Sequence, residues 1–472
     1  MGLRRALVIL AALFLVVRVA TIVAYRDTLY YYGMVASQYG IAQAAYAGHG
    51  FAHDQAVSGA ALREATLEGR HIPLEEWTRF PASGRFTTFP AVDLPGYGYL
   101  IAFTSRVFDD HLTARYALGV QVLVELASVL AFAYCVSLAA GVRTAVVTGL
   151  VYVFGYPFMW PIASQPMRDV FVLGAYTAFM TAAFLFLRRR GAAAWLVPAP
   201  LVALGSLLLW VRPHGYYYAF GLALLVLAAP GRPRAARAGF AALLVLVPWF
   251  LFGWPFRQFN IRHYGVPSTD AVGLALWQQL GIVPNNPFGF VKSDEAMVPF
   301  VKAHYGKDVD YASPEMNRLL GEYARRVIRE HPGYYLRALG ATLAEVAATP
   351  LDFVPPFRVA SFSGSGLTLA EFARAHPGSF AFKAFNRVLL TLFFYGGLAA
   401  AVWLWRRGSP PRVELLLLLS PFLYTAAAQV GVVFTARYMA AGAWALAFPI
   451  ACALEALAER RGPRFSREAP GA

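Results

Sequence analysis

The chain has 472 residues, of which 58% are hydrophobic and only 14% charged, whereas soluble domains keep about a quarter of their residues charged. This balance excludes an ordinary soluble protein and indicates a chain whose surroundings are largely lipid. The net charge of +15 does not indicate a nucleic-acid partner, because the Lys and Arg residues fall in short clusters between apolar runs.

Ten apolar runs approach the roughly 20 residues that a helix needs to cross the hydrocarbon core. They are 6–25, 113–140, 143–162, 169–187, 192–211, 215–230, 237–256, 388–405, 413–433 and 436–457. The first run is longer than the apolar part of a signal peptide, so we expect it to be retained as a span. The predicted fold class is therefore an all-α polytopic membrane protein.

The arginine clusters predict the orientation of these spans. They are Arg4 and Arg5; Arg143; Arg188, Arg189 and Arg190; Arg232, Arg234 and Arg237; Arg406, Arg407 and Arg412; Arg460 and Arg461. With ten spans all of them fall on one side, which the positive-inside rule makes cytoplasmic. Both termini are then inside, and the long hydrophilic stretches 26–112 and 257–387 are outside.

This topology divides the chain into three parts. Residues 1–256 form an N-terminal membrane module with seven spans and the first external loop, 26–112. Residues 257–387 form an external, mostly helical segment, and residues 388–472 form the last spans and a cytoplasmic tail. Because the cytoplasmic connections are short, we expect a functional site to be external.

Amphipathic patterns, and apolar runs that are interrupted by Pro or Gly, predict helices at the membrane surface in the external stretches. In the first stretch they cover 28–47 and 94–108. In the second they cover 314–330, with arginines 325, 326 and 329 facing outward, and 334–349.

Several short elements follow one another in an order that is similar to a known family. They are I-A-Q-A-A-Y-A-G-H-G-F (41–51), L-P-G-Y-G-Y-L-I-A (94–102), Q-P-M-R-D (165–169), V-P-W-F-L-F-G-W-P-F-R-Q-F-N (247–260), E-H-P-G-Y-Y (330–335) and T-A-R-Y-M-A-A (435–441). This order resembles the membrane-embedded GT-C glycosyltransferases, specifically the bacterial branch related to protein O-mannosyltransferases and lipid A aminoarabinose transferases. The chain departs from that family where an acidic residue or pair is usual, because residues 34–38 read M-V-A-S-Q.

The resemblance implies a GT-C-like fold and an inverting transfer of a sugar from a polyprenyl-phosphate donor to a glycan, lipid or protein acceptor. We expect this transfer on the periplasmic side of a bacterial inner membrane. The reaction needs a carboxylate base, and cations that stabilise the phosphate, with a divalent ion such as Mg²⁺ or Mn²⁺ as a candidate cofactor.

The candidate carboxylates are Asp27, Asp93 and Asp169, and Asp169 is also the candidate metal contact. Each has a competing structural interpretation. Asp27 could cap a helix or pair with Arg26, and Asp93 could be a solvated loop acid. Asp169 could be a helix N-terminal carboxylate that the helix dipole favours.

Cations at the external ends of spans are candidates for binding the donor phosphate, because a guanidinium grips phosphate oxygens with two hydrogen bonds. The candidates are Arg168, Arg212, His214, Arg257, Arg262, His263 and Arg437, together with the neighbouring hydroxyl of Tyr438. The competing interpretation is that these arginines only reach towards water from the span ends. Glu125, inside the second span, is interpreted as a helix-packing residue.

Two other functions remain open. An O-antigen ligase or polymerase would act on undecaprenyl-pyrophosphate glycans through external arginines and histidine, without a carboxylate base. A lipid or sugar transporter would show inverted repeats and broken helices near the membrane midplane.

Overall fold

The computed structural model describes residues 2–25, 32–50, 53–54, 86–87, 96–109, 111–157, 159–164, 167–265, 267, 272–292, 296–309, 313–348, 351, 367–431 and 436–459. Within these ranges the structure is helical, apart from one short antiparallel pairing of β1 (His53–Asp54) with β2 (Phe86–Thr87). Side chains of the N-terminal half of the helix Tyr32–Tyr46 lie outside the description.

The helices fall into three groups along the chain. The first group is α1 Leu3–Tyr25, α2 Tyr32–Tyr46, α3 Gly96–Phe108, α4 Arg115–Ala140, α5 Val142–Gly155, α6 Met159–Ala163 and α7 Asp169–Arg188. The second is α8 Ala193–Leu196, α9 Pro198–Leu208, α10 Tyr216–Ala228, α11 Arg234–Pro248 and α12 Trp254–Tyr264. The third is α13 Val272–Leu280, α14 Met297–Tyr305, α15 Pro314–Glu330, α16 Pro332–Ala348, α17 Leu369–Ala375, α18 Pro377–Arg407, α19 Arg412–Gly431, α20 Ala436–Ala443 and α21 Ala447–Glu459.

Six helical stretches in the described part of the chain are long and apolar enough to cross a membrane. They are Leu3–Ala24, Arg115–Ala140, Asp169–Arg188, Arg234–Arg262, Pro377–Arg407 and Ala441–Ala458. Shorter apolar helices occupy Val142–Gly155, Ala193–Leu208 and Tyr216–Ala228. Each of the ten predicted spans falls on one of these stretches or on α19, and the predicted fold class of an all-α polytopic membrane protein is confirmed.

Prolines explain where predicted spans are interrupted. The run 192–211 divides at Val197, directly before Pro198. Val197 keeps helical backbone angles, but Pro198 has no N–H to donate to the carbonyl four residues earlier. The run 237–256 passes through a π-helical turn, Trp249–Gly253, after Pro248, and continues as α12. Pro255 has no N–H to donate to the Leu251 carbonyl four residues earlier. The indole of Trp210 donates to that carbonyl instead, at 2.8 Å.

Helix α7 forms the centre of the membrane bundle. Its sequence is apolar on every side, which is typical of a helix with neighbours all round, and 18 of its 20 residues are buried. It packs against α4, α9, α10, α19 and α20. Gly174 lets α4 approach closely, because a Cβ there would lie 2.7 Å from the Val124 side chain. The outer helices instead expose apolar side chains such as Val16 and Leu224, as lipid-facing helices do.

Two of the predicted cytoplasmic arginines form ion pairs, Arg188 at the C-terminal end of α7 and Arg143 at the start of α5. Arg188 forms two hydrogen bonds of 2.9 Å with Glu414 at the start of α19. It also donates to the carbonyl of Leu138 near the end of α4. Arg143, just beyond that end, lies 3.3 Å from Glu455. Asp169 begins the same helix at the opposite end, roughly 30 Å away at 1.5 Å per residue.

A second hydrophobic core unites α13, α14, α15 and α16. It contains Trp277, Phe290, Met316, Leu320 and Tyr334. Helix α15 buries one apolar face there and exposes arginines 325, 326 and 329, as predicted. Helix α16 connects this core to the bundle, because Arg387 of α18 donates to the Ala348 carbonyl at 3.1 Å. Leu336 and Leu343 of α16 are exposed on its other side.

Candidate functional site

A buried pair of opposite charges lies at the N-terminal end of α7. Nη2 of Arg212 is 3.7 Å from Oδ1 of Asp169, and the two side chains are only 3% and 6% exposed. Arg168 precedes Asp169 and is also buried. Charged side chains are rarely buried without a partner or a task. The pair therefore joins two residues that the sequence predicts for different roles, a carboxylate and a phosphate-binding cation.

A tight corner returns the chain from α9 to the start of α7. Helix α9 ends at Leu208, and the backbone N–H of Arg212 still donates to the Leu208 carbonyl at 3.3 Å. Arg212 itself is extended and precedes a 3-10 turn, Pro213–Gly215. Gly215 fits closely, because a Cβ there would lie 3.0 Å from Leu209. This corner directs Arg212 towards Asp169.

Helix α3 packs against this corner, and α2 packs against α3. Gly96 lies against the backbone of Trp210, so closely that a Cβ would be 2.4 Å from the Trp210 carbonyl oxygen. The backbone N–H of Gly98 donates to Oε1 of Gln38 at 3.2 Å. Tyr39 donates to the Leu112 carbonyl, and burial raises the pKa of Tyr39, so its hydroxyl stays neutral. The described parts of the two predicted surface segments thus pack on each other, and α3 lies against the backbone that leads to Arg212.

Tyr176 lies further along the same face of α7 and packs against two tyrosines from other helices, Tyr218 of α10 and Tyr424 of α19. Tyr176 is about two helical turns from Asp169. Its ring centroid is 4.8 Å from that of Tyr218 and 5.8 Å from that of Tyr424. The Tyr218 hydroxyl lies 2.6 Å from Oγ of Ser420. A cluster of aromatic rings with hydroxyl groups thus follows the charged pair along this face of α7.

The other predicted site residues have different placements. Asp27 and Asp93 lie outside the described residues, as do the side chains of His214, His263, Arg437 and Tyr438. Helix α20, which carries positions 437 and 438, contacts α7. Arg257 and Arg262 are exposed on α12.

Asn260 was not singled out from the sequence. It is 1% exposed, and neither its amide nitrogen nor its amide oxygen has a hydrogen-bond partner among the described residues. It follows Phe256 by one turn of α12, and the Phe256 ring packs 6.5 Å from that of Trp210. A buried amide without partners costs about 1–3 kcal/mol, so this side chain is a natural contact for a bound ligand.

A second buried charge pair lies within the membrane, between α1 and α4. Arg18 bonds the carboxylate of Glu125, and the Tyr152 hydroxyl donates to the same oxygen at 2.6 Å. Glu125 therefore joins three helices, which agrees with the packing role predicted for it. The sequence alone did not identify Arg18 as the partner of Glu125, because it does not show which residue a single arginine in an apolar run contacts.

The described residues do not fit a divalent cation. They contain no group of three His, Cys, Asp or Glu side chains that could hold a metal. Asp169, the predicted metal contact, has the Arg212 guanidinium at its carboxylate, and a second positive charge would be repelled there.

No model of a known protein family matches the chain, and no curated protein matches it. Solved structures match over nearly its whole length. The Archaeoglobus fulgidus oligosaccharyltransferase tethered with an acceptor peptide containing the NVT sequon is 13% identical, with a TM-score of 0.49, and the match covers 97% of this chain and 50% of that chain. The archaeal oligosaccharyltransferase AglB from Archaeoglobus fulgidus in complex with an inhibitory peptide and a dolichol-phosphate is 12% identical, with a TM-score of 0.45, covering 98% and 52%.

ArnT from Cupriavidus metallidurans bound to undecaprenyl phosphate is 14% identical, with a TM-score of 0.39, and the match covers 96% of this chain and 79% of that chain. The present chain spans about half the length of the oligosaccharyltransferase structures.

Proposed function

We propose that the chain is an inverting glycosyltransferase of a bacterial inner membrane. It moves a sugar from a polyprenyl-phosphate donor to a glycan, lipid or protein acceptor on the periplasmic face. The observation that carries this proposal is the buried Asp169–Arg212 pair, which lies at the end of α7 opposite the arginine-rich end.

The pair supplies two of the groups that this chemistry requires. Arg212, with Arg168 beside it, offers guanidinium N–H groups to the phosphate of the donor lipid. Asp169 holds Arg212 in place and is the first candidate for the base. Asp27 and Asp93 remain candidates for that role, and Arg437 with Tyr438 for further phosphate contacts. No step of the proposed reaction passes through a metal ion.

The reaction makes one bond and breaks another at the anomeric carbon. The acceptor oxygen or nitrogen attacks that carbon from the face opposite the phosphate, and its proton passes to the carboxylate. The bond from carbon to the phosphate oxygen breaks, and polyprenyl phosphate leaves with the negative charge. The guanidinium groups stabilise that charge as it develops.

Undecaprenyl phosphate and a dolichol-phosphate are the lipids bound in two of the compared structures. Our proposal extends this lipid class to the present chain. It rests on the resemblance in sequence and on the buried arginines at the N-terminal end of α7.

Donor specificity tests the proposal. The purified full chain is incubated with a radiolabelled sugar on undecaprenyl phosphate, and in parallel with a labelled glycan on undecaprenyl pyrophosphate, each with a membrane extract as the acceptor source. We expect label to leave the monophosphate lipid, and the linkage in the product to have the opposite anomeric configuration. Consumption of the pyrophosphate donor alone would overturn the proposal in favour of an O-antigen ligase or polymerase.

A further inference from the structure

Gln121 is a fully buried amide in the second turn of α4, and all of its bonding capacity is used. Its Oε1 accepts from the Tyr97 hydroxyl at 3.0 Å and from the backbone N–H of Met167 at 3.1 Å. Its Nε2 donates to the carbonyls of Ile162 and Ala163 at 3.3 and 3.2 Å. One side chain thus contacts the end of α6, the backbone at Met167 and helix α3, all of which are distant from Gln121 in sequence.

The carbonyls that Gln121 binds belong to the last turn of α6. Carbonyls at a helix C-terminus have no partner within the helix and need an outside donor. Met167, which Gln121 also binds, lies two residues before Asp169. Gln121 therefore holds both ends of the connection that leads from α6 to the predicted carboxylate.

The third segment leads to Arg212. Tyr97 belongs to α3, and its neighbour Gly96 lies directly against the backbone of Trp210, two residues before Arg212. The Tyr97 ring also packs against Phe171 of α7, with 5.6 Å between centroids. Gln121 therefore connects the backbone beside Asp169 with the surface helix that packs beside Arg212.

A hydrogen bond from the same connection to α1 gives it a second point of attachment. Ser164 donates to Oγ1 of Thr21 at 3.0 Å, and Arg18 donates to the same oxygen at 3.2 Å. Arg18 in turn bonds Glu125, which lies one helical turn from Gln121 on the same face of α4. Buried polar networks favour one arrangement of the segments that they join.

We infer that Gln121 is a positioning residue that sets the placement of Asp169 relative to Arg212 by tying the α6–α7 connection to the surface helix α3. This inference rests on the proposed function. A displacement of about 1 Å at reacting groups lowers rates by about 100-fold, so a tie of this kind has a kinetic effect even though Gln121 itself touches no substrate.

The experiment compares the full-length variants Gln121→Met and Gln121→Glu with the wild type. Gln279→Met, the same change at a buried glutamine in the second core, is the matched control. Hydrogen exchange followed by mass spectrometry measures the amides of 159–172, and transfer kinetics measure kcat and the donor KM. For Gln121→Met we expect faster exchange at Met167 and a kcat lowered by about 10- to 100-fold, with KM within about threefold. The control should change neither quantity.

Gln121→Glu adds a pH readout that a purely structural role would not move. The buried carboxyl would be neutral at low pH and could donate to one of the two carbonyls, whereas its ionised form could not. We expect Gln121→Glu to retain more activity than Gln121→Met at low pH and to lose that advantage as the pH rises. Tyr97→Phe, which deletes a single hydroxyl, keeps the test open if the Gln121 variants fail to fold.

Unchanged exchange at Met167 in a folded Gln121→Met variant would overturn the inference, and so would faster exchange with an unaltered kcat. If the wild type transfers no sugar at all, the proposed function fails. The exchange measurement then still decides whether Gln121 holds the connection.

Discussion

The guanidinium of Arg212 lies 3.7 Å from the carboxylate of Asp169, with both side chains almost completely withdrawn from solvent. The two residues are separated along the chain by α7, α8 and α9, and only the corner at Leu209–Arg212 brings them together. The positive end of the α7 dipole favours the carboxylate at this position. The pair therefore combines a structural role with the one proposed in catalysis, and substitutions can separate the two.

Removing one partner of the pair should destabilise the fold more than removing both. Asp169→Leu or Arg212→Leu alone leaves an uncompensated buried charge, at a cost of about 3–5 kcal/mol, whereas apolar replacement of both is often nearly neutral. We expect thermal unfolding in detergent to show a large loss for each single variant and recovery in the double variant. Additive losses would indicate that the charges do not depend on each other.

Gly96→Ala should displace the surface helix α3 from the corner. The added Cβ would lie 2.4 Å from the Trp210 carbonyl oxygen, so one of the two segments must move. We expect transfer activity to fall by about tenfold or more because the site is displaced. Gly119→Ala in α4 is the control, because a Cβ there meets nothing, and it should be neutral or stabilise by up to about 1 kcal/mol. Equal activity in both variants would argue against a role for α3.

Tyr152→Phe should weaken the buried network around Glu125. The deleted hydroxyl donates to a carboxylate at 2.6 Å, and hydrogen bonds to charged groups contribute about 1.5–3 kcal/mol. Tyr134→Phe is the matched control, because its hydroxyl accepts from Arg189 in a less buried position. Thermal unfolding should separate the two variants. Indistinguishable midpoints would mean that Arg18 alone satisfies Glu125.

Labelling of single cysteines tests the predicted orientation. The native Cys135 and Cys452 are buried, so a membrane-impermeant maleimide should report only on introduced thiols. In intact cells we expect Lys307→Cys, in the second external stretch, to react, and Gly408→Cys, beside the arginine cluster, to react only after permeabilisation. The reverse pattern would invert the topology and place the Asp169–Arg212 pair on the cytoplasmic side.

Hydropathy predicted the helices well because burial in lipid requires long apolar runs. It could not place the interruptions, such as the one at Val197, because local proline chemistry sets them. The charge pattern indicated Asp169 and Arg212 as separate candidates. Their pairing depends on how α9 packs against α7, and the hydrophobic pattern of a sequence does not show which helices pack together.

Gln121 and Arg18 show a further limit of the sequence. Each is a single polar side chain in an apolar run, and such residues most often only pack between helices. Their partners lie on other helices, Tyr97 and Met167 for Gln121 and Glu125 for Arg18. Their importance follows from the positions of those partners in space, which a single sequence does not reveal.

The central claim is that the Asp169–Arg212 pair serves sugar transfer from a polyprenyl-phosphate donor. The most direct measurement is the transfer rate from radiolabelled undecaprenyl-phosphate sugar for the purified wild type, Asp169→Asn, Arg212→Lys and the control Glu455→Gln at the opposite end of the bundle. We predict losses of about 100-fold or more for the first two variants, with folded protein by size exclusion. For the control we predict a rate within about twofold of wild type, because Glu455 pairs with Arg143, far from the Asp169–Arg212 pair. Wild-type rates in folded Asp169→Asn and Arg212→Lys would contradict the claim.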